Sequence, residues 1–174
     1  MRTDLQILAS EVRTKAVLRL RSEIKRAGYR NEMHGIVLST FGDCVRYDLL
    51  ASKEATRALG IKTRWRQQDD LARFRDPVAE IAVRLSVGNN PTFETTEVTI
   101  ATDIAETLVN SAAKIKVAPR IASPHFGLDG TSYEIGFGSS LAWATFHWWE
   151  ESPVGWEALA DVLRDLSEAI ELGR

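Results

Sequence analysis

Between Asp129 and Trp149 residue types alternate with a period of two, and that period admits little besides a β-hairpin. Asp129-Gly130 is a turn signal, after which Tyr133, Ile135 and Phe137 alternate with Ser132, Glu134 and Gly136. Gly138-Ser139-Ser140 forms a short loop, and Leu141 to Trp149 returns with Leu141, Trp143, Thr145, His147 and Trp149 on one face. The other face carries Ala142, Ala144, Phe146 and Trp148, and a strand apolar on both sides is expected to be central and covered. A helix is expected from Trp156 to Leu172, after the Ser152-Pro153 start signal. At about 100° per residue Trp156, Leu159, Leu163, Leu166 and Ile170 fall within a stripe of roughly 80°, which is expected to pack on the hairpin. Glu157, Asp161, Asp165 and Glu168 occupy the opposite flank.

Upstream, Leu5, Leu8, Val12, Ala16, Leu20, Ile24 and Ala27 recur at steps of three or four and predict a helix over Thr3 to Ala27. Thr3 with Gln6 fits a capping box, and Gly28 is placed to end the helix. His34 to Phe41 fits a short strand or a buried helix, and Asp48 to Leu59 looks helical before Gly60. Ala79 to Val87 alternates as a half-buried strand, with Thr95 to Ala101 as its partner beyond the Gly88–Pro91 turn. Asp103 to Ala113 offers a further helix, and Pro119 and Pro124 bracket an edge segment. The expected fold is one α+β domain over residues 1–174, a mostly antiparallel sheet with its Trp-rich hairpin packed by N- and C-terminal helices.

A chain of 174 residues buries roughly 70% of its unfolded surface and needs no covalent staple. Its single cysteine, Cys44, allows no intrachain disulfide and points to a reducing compartment. Six uncharged residues between Asp4 and Glu11 are too few for a secretory core, and no apolar run approaches the roughly 20 residues of a membrane helix. A cytoplasmic, non-membrane protein is expected. The net charge of −2 conceals a strong asymmetry. Residues 1–75 hold 16 Lys and Arg against 9 Asp and Glu, whereas residues 76–174 hold 6 against 15.

No constellation announces chemistry. His34, His125 and His147 are far apart, only His147 has nearby carboxylates in Glu150 and Glu151, and a metal site needs three or four convergent ligands. No metal or cofactor is expected. Gly136-x-Gly138 lies between two strands and so is hairpin chemistry, not a phosphate cradle. Lys62, Arg64 and Arg66 with Trp65 between them are the candidate nucleic-acid contacts, cations for phosphate and an indole for base stacking. Asp69 and Asp70 interrupt that run, and a pI near 6.0 is low for a dedicated nucleic-acid binder. Trp143, Trp148, Trp149 and Trp156 fit a core cluster, or a pocket in which His125, Trp143, His147 and Trp149 face a small molecule.

The acidic flank of the last helix carries a cost, because Glu157/Asp161 and Asp161/Asp165 are like-charged i,i+4 pairs worth roughly 0.2–0.5 kcal/mol each, with Arg164 alone to relieve them. Asp129-Gly130-Thr131-Ser132-Tyr133, then Trp148-Trp149, Pro153 and Trp156, resembles the ending of small uncharacterised bacterial proteins that share an Asp-Gly-Thr-x-Tyr hairpin, a Trp-Trp pair and a Pro-x-x-Trp helix start. The resemblance implies a fold and brings no activity. The sequence-based expectation is a non-enzymatic, bacterial protein-binding module, an immunity- or antitoxin-like inhibitor that docks a basic protein through Glu157, Asp161, Asp165 and Glu168. The alternatives are nucleic-acid binding through the 57–75 segment and a small-molecule enzyme or sensor with the Trp-lined pocket.

Overall fold

The computed structural model describes residues 4–52, 54, 56–72, 74, 90–117, 129–139 and 141–173. Helix α1 (Asp4–Arg21) is followed by strands β1 (Tyr29–Ser39), β2 (Cys44–Ser52) and β3 (Ala58–Trp65), a short helix α2 (Gln67–Ala72), and strand β4 (Phe93–Ile100). Helix α3 (Thr102–Ala113), strands β5 (Thr131–Gly138) and β6 (Trp143–Trp149) and helix α4 (Glu157–Leu172) complete the order. The six strands form one antiparallel sheet in the order β4-β3-β2-β1-β5-β6. No helix among the described residues is long and apolar enough to cross a membrane.

Each sheet face is covered by different helices. On one face Met33, Leu49, Ile135 and Trp148 meet Leu108 of α3 and Leu159, Leu163, Leu166 and Ile170 of α4. Gly35 and Gly60 let α4 settle on the strands: a Cβ on Gly35 would lie 2.2 Å from Leu163 Cδ1, and one on Gly60 would lie 2.7 Å from Ile170 Cγ1. Helix α4 starts beside the hairpin, where Trp156 stands edge-on to Phe146 at 5.5 Å, and crosses toward β3. On the opposite face Val12, Ala16 and Leu20 of α1 pack on Cys44 and Trp65. The spacing of those three residues is the helical step that the sequence displays.

Four expectations change. Helix α1 ends at Arg21 rather than Ala27, because the carbonyls of its last turn find other donors: Arg46 Nη1 reaches Leu20 O at 2.8 Å and Ser22 Oγ reaches Leu18 O at 2.8 Å. Gly28, with φ +82°, serves the turn that closes with Tyr29 N donating to Arg26 O. The expected helix over Asp48 to Leu59 is instead the end of β2, a turn held by Ser52 Oγ, and the start of β3. Asp48, Leu49 and Leu50 are all buried, so that stretch loses the alternation that marks a strand. Finally, among the described residues β6 is an edge strand, not a central one. Thr95 to Ile100 lies in strand β4 and pairs on one edge with β3; its expected partner Ala79 to Val87, together with Pro119, Pro124 and the Thr3 cap, lies outside the described residues.

Candidate functional site

The β1–β2 register slips between Asn31 and Met33, a bulge that shifts the phase of β1. Asn31, opposite Leu50, and His34, opposite Asp48, therefore share the α1 face although three residues separate them. On the next strands the register sets His34 opposite Gly136 and Glu134 opposite His147. His34 and Trp143 lie across the bare backbone of Gly136, where a Cβ would be 2.4 Å from His34 Cε1 and 2.9 Å from Trp143 Nε1. The two rings stack, with centroids 5.6 Å apart and planes 19° apart.

Glu134 is the hub of this arrangement and is only 7% exposed. Its Oε1 is 3.1 Å from His34 Nε2, and its Oε2 is 3.2 Å from His147 Nδ1 and 3.3 Å from Arg21 Nε. The contacts to Oε2 lack hydrogen-bond geometry, so that oxygen has the Arg21 guanidinium and the His147 ring beside it but no aligned donor among the described residues. Burial pushes the Glu134 carboxyl up; the His34 hydrogen bond and the charges of His147, His34 and Arg21 outweigh it and hold the group below the usual carboxylate range. His34 Nδ1 makes no hydrogen bond among the described residues. A carboxylate that fixes one ring nitrogen and leaves the other open orients an imidazole for a ligand or a proton.

His34 lines a groove of about 880 Å³ between the 22–28 loop, the start of β1 and the hairpin tip at Ser139. Trp143, 42% exposed, forms one wall; Arg21 and Arg30 border it; Asn31 and Arg46 lie at its floor. Arg46 is clamped by Asp48, with Nε to Oδ2 at 2.7 Å and Nη2 to Oδ1 at 2.6 Å. That buried pair keeps the floor rigid. Asn31 Nδ2 stands 3.4 Å from Asp48 Oδ1, while Asn31 Oδ1 is buried without a hydrogen-bond partner.

His147 and Trp143, two of the four expected pocket residues, join this cluster. Trp149 sits six residues beyond Trp143 on β6, roughly 20 Å along an extended strand, against Gly130. His125 lies outside the described residues. Sequence reasoning missed His34, Glu134, Arg21 and Gly136 as site residues. His34 and Glu134 are 100 residues apart, and only the β1–β5 pairing unites them.

The expected nucleic-acid contacts are engaged elsewhere. Trp65 is fully buried under α1 and donates its Nε1 proton to Asp70 at 2.8 Å, so its ring offers no stacking face. Lys62 pairs with Glu171, Arg64 with Asp43, and Arg66 with Asp69 and, at 3.2 Å, with Glu94. The acidic flank of α4, by contrast, lies open: Glu157, Asp161, Asp165 and Glu168 are all exposed. Arg164 reaches Asp161 at 2.9 Å and Asp165 at 3.7 Å. The backbone N–H groups of Glu157 and Gly155 hold the Glu157 carboxyl below the usual range.

Among the described residues no group of three or more His, Cys, Asp or Glu side chains is arranged to hold a metal ion. Comparison with family models, with curated proteins and with solved structures finds no match to this chain, and the geometry of its own site carries the functional reading.

Proposed function

We propose that the groove beneath the 22–28 loop binds a small molecule, with Trp143 as its aromatic wall and His34 as the polar contact. One observation carries this reading: His34, held through Nε2 by the buried carboxylate of Glu134 at 3.1 Å and with no hydrogen bond at Nδ1 among the described residues, lines a groove of about 880 Å³. A groove of that size, with one aromatic wall and a few convergent polar groups, has the make-up of a ligand site. Intrinsic tryptophan fluorescence, titrated against a panel of metabolites, tests it. A saturable response in the native chain that is lost in Trp143→Ala and weakened in His34→Gln is expected. A response that survives both substitutions overturns the assignment.

A second reading keeps the acidic helix as a protein-docking surface, of the kind an immunity- or antitoxin-like inhibitor presents to a basic partner. It is favoured by the segregation of charge: the acids of α4 lie across the sheet from basic α1, and among the described residues their flank is relieved by Arg164 alone. Such a field steers association with a cationic protein. Asp161→Asn, Asp165→Asn and Glu168→Gln together are expected to weaken partner capture at unchanged or higher thermal stability. Undiminished capture by the triple variant removes this reading.

A further inference from the structure

We infer that β6 is the docking edge for a second copy of this chain, whose own β6 pairs with it antiparallel about a two-fold axis at Phe146 and joins the two sheets into one. The contact goes beyond the groove reading and does not depend on it. Strand β6 carries large apolar residues on both faces, Trp143 and Trp149 on one, Phe146 and Trp148 on the other, as a central strand does. Among the described residues it nevertheless lies at the edge of the sheet. A second copy supplies the missing neighbour.

The backbone of that edge is ready to pair. At one end of the hairpin Ser139 N donates to Ala142 O at 2.7 Å, and at the other Glu150 N donates to Thr131 O at 2.8 Å. Between those bonds the register runs without a shift, so the alternation of an antiparallel ladder directs the backbone groups of Ala144, Phe146 and Trp148 to β5. The N–H and C=O groups of Trp143, Thr145, His147 and Trp149 point outward. Sheet edges are commonly guarded by charged side chains, proline or a bulge. Strand β4, the other edge among the described residues, carries Glu94 and Glu97, paired with Arg66 and Arg26. Strand β6 has no Asp, Glu, Lys, Arg or Pro and no bulge.

The residues of β6 match their own reversed order. With Phe146 at the axis, Trp143 stands opposite Trp149 of the second copy, Ala144 opposite Trp148, and Thr145 opposite His147. Every bonded pair then joins two outward-facing residues, and the small Ala144 meets the bulky Trp148. Aromatic pairs across strands are favourable. The single titratable side chain of the strand, His147, faces Glu134 of its own sheet at 3.2 Å, so no unpaired carboxylate, ammonium or guanidinium enters the contact. Leu141, 96% exposed, and Val154, 94% exposed, flank the two ends of β6, and antiparallel pairing brings the Leu141 end of one copy to the Val154 end of the other. Two-fold pairing occupies the β6 edge of both copies and stops at two chains.

Sedimentation equilibrium of the full chain, with amide hydrogen exchange read by NMR, tests the contact. The native chain is expected to reach twice its 19.4 kDa as concentration rises, with the amides of Trp143, Thr145, His147 and Trp149 exchanging more slowly in concentrated than in dilute samples. Thr145 is exposed and its N–H does not serve β5, so Thr145→Pro removes an outward donor and Thr145→Lys sets a charge on the edge. Both variants are expected to sediment as single chains with unchanged far-UV circular dichroism. A native chain that stays at 19.4 kDa at every concentration overturns the inference. So does a dimer whose outward amides stay unprotected, or one that survives Thr145→Lys in a folded chain. If either variant unfolds, the exchange of the native amides decides.

Discussion

At Glu134 two opposing effects meet, burial that raises the carboxyl pKa and a cage of His34, His147 and Arg21 that brings it below the ordinary range. A carboxylate whose folded-state pKa is depressed stabilises the fold above its unfolded value of about 4.3 and loses that contribution as pH falls through the folded value. The stability difference between the native chain and Glu134→Gln is therefore expected to be largest near neutrality and to shrink below about pH 4.3; urea unfolding across pH 3 to 7 measures it. A difference independent of pH contradicts the cage. Arg46 acts at the same scale. Removing it as Arg46→Met leaves Asp48, which is 0% exposed, without its partner and frees the Leu20 carbonyl, at an expected cost of about 3–5 kcal/mol. The double change Arg46→Met, Asp48→Leu should recover part of that loss, and a double variant no more stable than the single one counts against the buried pair as the cause.

Helix α4 owes its position to two glycines, because strands β1 and β3 approach it where Gly35 and Gly60 lack side chains. Leu163, the neighbour of Gly35, is itself buried and has little room to move, so Gly35→Ala is expected to cost about 1–3 kcal/mol. Thermal denaturation checks this, and Leu163→Ala in the same chain should make the Gly35 change less costly. Elements whose environment matches their sequence period were legible: β5, β6, α3 and α4 each have one face that differs from the other, or turn residues at both ends. Strand β2 was not, because it is buried on both faces and its run of apolar residues fits a helix as well. The end of α1 was hidden for another reason, since the donor that satisfies Leu20 O comes from Arg46, 26 residues away.

The whole molecule is a sheet with unlike faces, acidic α4 over one and basic α1 with the groove over the other. Lys62, Arg64 and Arg66 alternate with Trp65 in the manner of a strand exposed to solvent. The neighbours that neutralise the cations, and the helix that covers the tryptophan, come from distant parts of the chain. The same distance kept the groove out of view, because Arg21, His34 and Glu134 belong to three elements and meet only once β1 pairs with β5. Only its aromatic wall, Trp143, and His147 were visible as candidates in the hairpin. The most direct test is two-dimensional proton–nitrogen NMR of the full chain, titrated with the tightest ligand from the metabolite panel. The account predicts that the Trp143 indole N–H and the amides of His34 and Ser139 shift first and saturate together, while α4 amides stay in place. Shifts that gather on α4 and leave Trp143 unmoved would contradict it.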